Sequence, residues 1–134
     1  MEPIVACDEP RAAFPERADA SDPAELVTFT VDRVGEATVL RVRGELDMLS
    51  APLLTARLAE CIGGGPRMMV LDLAAVTFCS SSGLRALLQA RDLAGQRGIP
   101  LRLAQLSTAA RRSLTVSGLV TLFEIHPDVA AALS

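Results

Sequence analysis

Tryptophan, tyrosine and lysine are all missing from these 134 residues, and histidine occurs once. Without Tyr or Trp among the basic residues there is no stacking platform for single-stranded nucleic acid. Arg111 and Arg112, side by side, are too few to make a nucleic-acid surface, so no direct nucleic-acid partner is expected. The absence of lysine excludes a G-x-x-x-x-G-K-[ST] phosphate loop, and "GGGP" at 63–66 reads as a helix stop and turn rather than a phosphate cradle. A Ser-His-acid triad would have to recruit the lone His126 from across the chain. "SSSGL" also lacks the glycine two positions before the serine that a nucleophile elbow requires. No catalytic residue is assigned, and His126, directly before Pro127, is read as a surface or helix-start histidine. Cys7, Cys61 and Cys79 are odd in number and widely spaced, with no C-x-x-C pair, so free thiols are expected and neither a metal site nor a cofactor. No apolar run approaches the ~18 residues of a membrane helix. The start "MEPIVACDEP" lacks the basic region and long apolar core of a secretory signal. Membrane insertion is not expected, and the expected compartment is the cytoplasm.

What is present is aliphatic. Half of the residues are hydrophobic but only 3% aromatic, a composition that suits helices packed on a sheet in one domain of ordinary size. Charge is uneven. Residues 1–26 hold seven acids against two arginines, leaving −5 there and +2 on the rest of a chain whose net charge is −3. With four of the eight prolines and no sustained periodicity, residues 1–26 read as a disordered or loosely attached acidic arm, and 27–134 as the domain.

From residue 27 the hydrophobic period alternates between two kinds of element. "LVTFTVDR" places Val27, Phe29 and Val31 on one side, and "GEATVLRVRGEL" follows after a turn at Gly35, so the two form an antiparallel hairpin. "SAPLLTARLAECIGGG" is a helix with a cap at Ser50, Pro52 in its first turn and a glycine stop. "RMMVLDL" is a central strand interrupted only by Asp72, and a helix follows with Leu84, Leu87 and Leu88 inward and Arg85, Gln89, Asp92 and Gln96 outward. "LRLAQL" is a strand, "STAARRSLTVSGL" a capped helix, "VTLFEI" a last strand and "PDVAAALS" a helix starting at its proline. The expected fold is therefore α/β, in the order ββαβαβαβα, with a mixed, mostly parallel sheet. In such sheets the working surface lies beyond the carboxyl ends of the strands. Here that means the loops "GELDMLS" at 44–50 and "FCSSSG" at 78–83.

Those two loops carry a resemblance. "RGELDMLSAPLL", "VLDLAAVTFCSSSGLRALLQA" and "SGLVTLFEI", in that order, are similar to a STAS domain, the fold of bacterial anti-sigma factor antagonists, over roughly residues 27–134. In that family a serine of a D-[ST]-S-G segment at the start of the second helix is phosphorylated by a partner that is both anti-sigma factor and serine kinase. The unphosphorylated form binds this partner and frees the sigma factor. Matching Gly83 and Leu84 to the motif implies that Ser81 is the phosphoacceptor, with Ser80 and Ser82 as alternatives. Ser80 stands where the family has aspartate; its oxygen still caps a helix but supplies no charge. The resemblance also implies a partner-binding face containing Asp47, Glu45, Ser80, Ser82, Gly83, Leu84, Arg85 and Gln89. For Asp47 a local turn bond is the competing reading, and for Leu84 the core. The ATP belongs to the kinase, so no cofactor is implied for this chain. Two further readings stay open: a STAS scaffold for another partner, such as a signalling assembly or transport component, without serine phosphorylation, and a small-ligand or nucleotide-binding STAS domain.

Overall fold

Gly35, in the left-handed region at φ 62°, turns the chain tightly enough for its flanking runs to pair as antiparallel strands. These are β1 (Val27–Val34) and β2 (Ala37–Leu46), in register from Val34↔Ala37 to Val27↔Gly44. The computed structural model describes residues 27–134, so the acidic arm expected over 1–26 lies outside the described residues. The remaining elements are α1 (Ala51–Gly63), β3 (Met68–Cys79), α2 (Ser81–Gln96), β4 (Leu101–Ala104), α3 (Thr108–Ser117), a 3-10 turn (Leu119–Leu122), β5 (Glu124–His126) and α4 (Val129–Leu133). The sheet order is β1-β2-β3-β4-β5, parallel from β2 onward. The α/β class and the element order match the expectation from sequence.

Each parallel connection steps one strand in the same direction, so α1, α2 and α3 fall on one face. Their inward residues, among them Leu54, Leu58, Leu87 and Leu114, form one core with Leu40, Met69, Leu71 and Leu103. Among the described residues the other face is covered only by α4, whose Ala132 packs with Val39, Val70 and Ala104. Beyond α4 the middle of that outer face is polar, centred on one buried carboxylate. Asp72, 6% exposed, accepts hydrogen bonds from Arg41 Nε (3.2 Å), Gln105 Nε2 (2.9 Å) and the Ala74 amide (3.0 Å). Arg41 also pairs with Asp32. Gln105 reaches Asp72 from a left-handed backbone, φ 56°, a conformation that costs a non-glycine residue energy.

Four expectations need correction. Val31 is 42% exposed, because the helical layer reaches only as far as Phe29, over which the Arg57 guanidinium sits at 5.4 Å. The strands β2 and β3 run to Leu46 and Cys79, so Gly44–Leu46, Phe78 and Cys79 are strand rather than loop. "VTLFEI" is not one strand: Gly118 ends α3 at φ 80°, residues 119–122 form the 3-10 turn, and Arg91 Nε holds it by donating to the Leu122 carbonyl at 2.9 Å. The last helix starts after Asp128, whose carboxylate accepts from the Ala131 amide at 2.7 Å, and not at Pro127.

Candidate functional site at the carboxyl ends of β2 and β3

The parallel pairing places Glu45 beside Phe78 and Leu46 beside Cys79, so the chain leaves both strands at the same point. The Ser80 amide extends this ladder by donating to the Leu46 carbonyl at 2.8 Å. Ser80 itself, extended at φ −85° and ψ 178°, is the N-cap of α2, its Oγ accepting from the Gly83 amide at 3.4 Å. Ser81 is therefore the first helical residue, and it is exposed, whereas Ser80 and Ser82 are half-buried. No acidic residue stands in this first turn.

Gly83 brings the helix down onto the strand ends. A Cβ at this position would lie 2.9 Å from Leu46 Cβ, and 3.2 Å from both the Leu46 carbonyl and Cys79 Sγ. Cys79 is enclosed beneath this turn, and burial pushes its thiol up to about 11, which keeps it protonated and unreactive at neutral pH. The Ser113 hydroxyl of α3 donates to the Cys79 carbonyl at 2.6 Å, tying a third element to the same point. No sequence signal distinguished Ser113 from an ordinary helix-surface serine.

The neighbouring loop, 47–50, is organised by Asp47. Its Oδ1 accepts from the amides of Leu49 and Ser50, both at 2.9 Å, so the local-turn reading of this residue holds. Ser50 was expected to cap α1 and does not. It makes no side-chain cap bond; fully buried, its Oγ donates to the Glu45 carbonyl at 2.6 Å and accepts from the Asp47 amide at 3.0 Å. No side chain caps α1; Asp47 instead closes the turn that leads into the helix. Held this way, the loop turns Met48, 74% exposed, and Leu49 outward, with Leu53 partly exposed on the first turn of α1 and Phe78 on the outer face of β3.

The expected residues divide into three sets. Asp47, Ser80 and Ser82 are half-buried. Ser81, Arg85 and Gln89 are exposed at successive turns of α2, and Glu45 is exposed at the end of β2. Gly83 and Leu84 point inward, and Leu84 is 7% exposed as part of the core, which removes it from the exposed face. The apolar residues Met48, Leu49, Leu53 and Phe78 were missed by sequence reasoning. Their signal was an apolar pair inside a short polar loop. His126 Nε2 lies 2.8 Å from Glu124 Oε2 on β5, two strands from β3. Among the described residues no group of three or more His, Cys, Asp or Glu side chains is arranged to hold a metal ion.

Comparison with known proteins gives five matches. The profile of the STAS domain matches residues 28–132. The anti-sigma-F factor antagonist RsfB of Mycobacterium tuberculosis is 29% identical over 108 residues, which cover 81% of this chain and 88% of that protein. The crystal structure of an anti-sigma factor antagonist from Mycobacterium paratuberculosis superimposes with a TM-score of 0.71 at 30% identity, covering 82% of this chain and 93% of the other. SpoIIAA of Bacillus shares the fold in its unphosphorylated form, with a TM-score of 0.67, 21% identity and coverage of 79% and 93%. Its phosphorylated form gives a TM-score of 0.62, 22% identity and coverage of 79% and 96%.

Proposed function

Since the chain belongs to the STAS domain family, we propose that it is an anti-sigma factor antagonist switched by phosphorylation of Ser81. Its partner in this reading is an anti-sigma factor with serine kinase activity. The unmodified chain binds that partner and releases a sigma factor; the modified chain does not bind. The chain acts by binding, and the ATP is bound by the kinase. Residues 27–134 carry this function, the family match leaving residues 1–26 outside it. Support for the general role comes from the Mycobacterium tuberculosis relative, named an anti-sigma-F factor antagonist. Among the described residues no helix is long and apolar enough to cross a membrane, and a reaction drawing on ATP belongs in the cytoplasm.

The observation that carries the reading is the exposure of Ser81 at the first position of α2, between two half-buried serines. A hydroxyl there is open to a kinase. The phosphate it receives meets the unpaired amides and the positive end of the helix dipole, so the fold tolerates it. SpoIIAA, a protein of the same fold, has a structure in a phosphorylated form. The same phosphate places about −1.5 to −2 of charge on the surface that the partner must cover. Glu45, Asp47, Ser80, Ser82, Arg85 and Gln89 surround it as partner-face residues, with Gly83 and Leu84 supporting them from below.

Intact-mass and peptide-resolved mass spectrometry after incubation with the partner kinase and ATP tests the assignment. One phosphate on Ser81, absent in Ser81→Ala, is the expected result. A phosphate on Ser80 or Ser82 would move the acceptor, and none at all would favour a scaffold that binds without modification.

A further inference from the structure

The helical arginines of α1 and α2 are three in number. Arg57 lies 3.4 Å from Glu60 and Arg91 3.6 Å from Asp92. Arg85 makes no ion pair among the described residues; its neighbours four positions before and after are Ser81 and Gln89. Residues at this spacing are adjacent on a helix surface, with Cβ atoms about 5–6 Å apart. Helical side chains lean toward the N-terminus, a direction that gives Arg85 the reach to cover the first turn and Ser81. An acid placed four residues before a base is also the favourable orientation of such a pair. Position 81 holds a hydroxyl, which becomes an anion only on phosphorylation.

The surrounding charges leave this role to Arg85. The first turn of α2 has no acid of its own. From the β2–α1 loop, Asp47 uses Oδ1 to hold its turn. From α3 the contact to the strand end is the neutral Ser113, with Arg111 and Arg112 exposed on the same helix.

We propose that Arg85 is the internal counter-ion of phosphorylated Ser81, holding the phosphate dianion against the start of α2. This rests on the reading of Ser81 as the acceptor. Its consequence is that the anion is satisfied within the free protein, so a basic group on the partner gains little by approaching it, and the off state of the switch is sharpened.

The test uses full-length chain with phosphoserine installed at position 81 during synthesis, so no kinase is involved, and follows the phosphate by phosphorus NMR against pH. In the parent protein the second ionisation is expected about half a pH unit lower than in Arg85→Gln, with Arg85→Lys between them and the difference shrinking in about 0.5 M salt. Because Arg85 is exposed, all three proteins are expected to melt alike before modification. Equal phosphate ionisation in the parent and Arg85→Gln would overturn the proposal. So would a shift in Arg112→Gln with none in Arg85→Gln. A kinase that leaves Ser81 unmodified would defeat the acceptor reading and leave this titration standing, so the two failures are distinguishable.

Discussion

Phosphate on Ser81 is expected to weaken binding to the anti-sigma partner by about 10²- to 10³-fold. The group brings about −1.5 to −2 of charge to an exposed helix start, beside a loop that presents Met48 and Leu49 outward. Covering that charge with an apolar or acidic partner surface means removing it from water without a new counter-charge, which costs several kcal/mol. At about 1.4 kcal/mol for each tenfold change in affinity, a cost of 3–4 kcal/mol gives the stated range. Ser81→Glu carries less charge on a shorter arm and is expected to lose only about tenfold. Ser81→Ala adds no charge and is expected to bind within a few-fold of the parent while becoming blind to the kinase. Calorimetric titration of the four proteins into the partner measures this series. Equal affinity of the modified and unmodified chains contradicts it.

Gly83→Val is expected to lower stability by about 2 kcal/mol. The added Cβ would meet Leu46 and Cys79 at 2.9–3.2 Å, where the contacts are strand atoms and a buried sulfur, so overpacking of about 1–3 kcal/mol outweighs the small helical gain of losing a glycine. A melting temperature lower by about 10 °C follows for a domain of this size. Gly95, on the same helix, has nothing within 4 Å of a Cβ. There Gly95→Ala is expected to raise stability by up to about 1 kcal/mol. Thermal and urea denaturation of the two variants separate the cases: opposite signs are expected, and a Gly83→Val protein as stable as the parent contradicts the close packing of α2 on the strand ends.

Much of this arrangement was legible in the sequence. The order of elements came from hydrophobic period and from punctuation by Gly35, the 63–65 glycines, Gly98 and Gly118, and these are local signals that tertiary structure did not overrule. The length of β3 was not legible. Its pairing with β2 shifts between Arg41 and Arg43 and again between Gly44 and Glu45, where β3 inserts extra residues. Each bulge breaks the two-residue alternation, so Ala74 and Ala75 are both exposed and the stretch after Leu73 looked like loop. Capping was misassigned for a related reason. Ser50 has the chemistry of a cap, but its hydroxyl is taken by the Glu45 carbonyl and the Asp47 amide, so α1 starts without a side-chain cap. Asp72 had no visible partner in sequence because Arg41 reaches it from β2 and Gln105 from just beyond the end of β4. The serine cluster was legible because a cap, a glycine and a leucine stripe occur together within a few residues. The apolar side chains beside it were not, since exposure depends on how Asp47 turns the loop.

The central claim is that the unmodified chain, and not its phosphorylated form, takes an anti-sigma factor away from its sigma factor. The most direct measurement adds each form to a preformed complex of the partner kinase with its sigma factor and quantifies the sigma factor released. Release in proportion to added unmodified chain, with none from the chain phosphorylated on Ser81, is the predicted result. Equal release by both forms, or release by neither, would contradict the account.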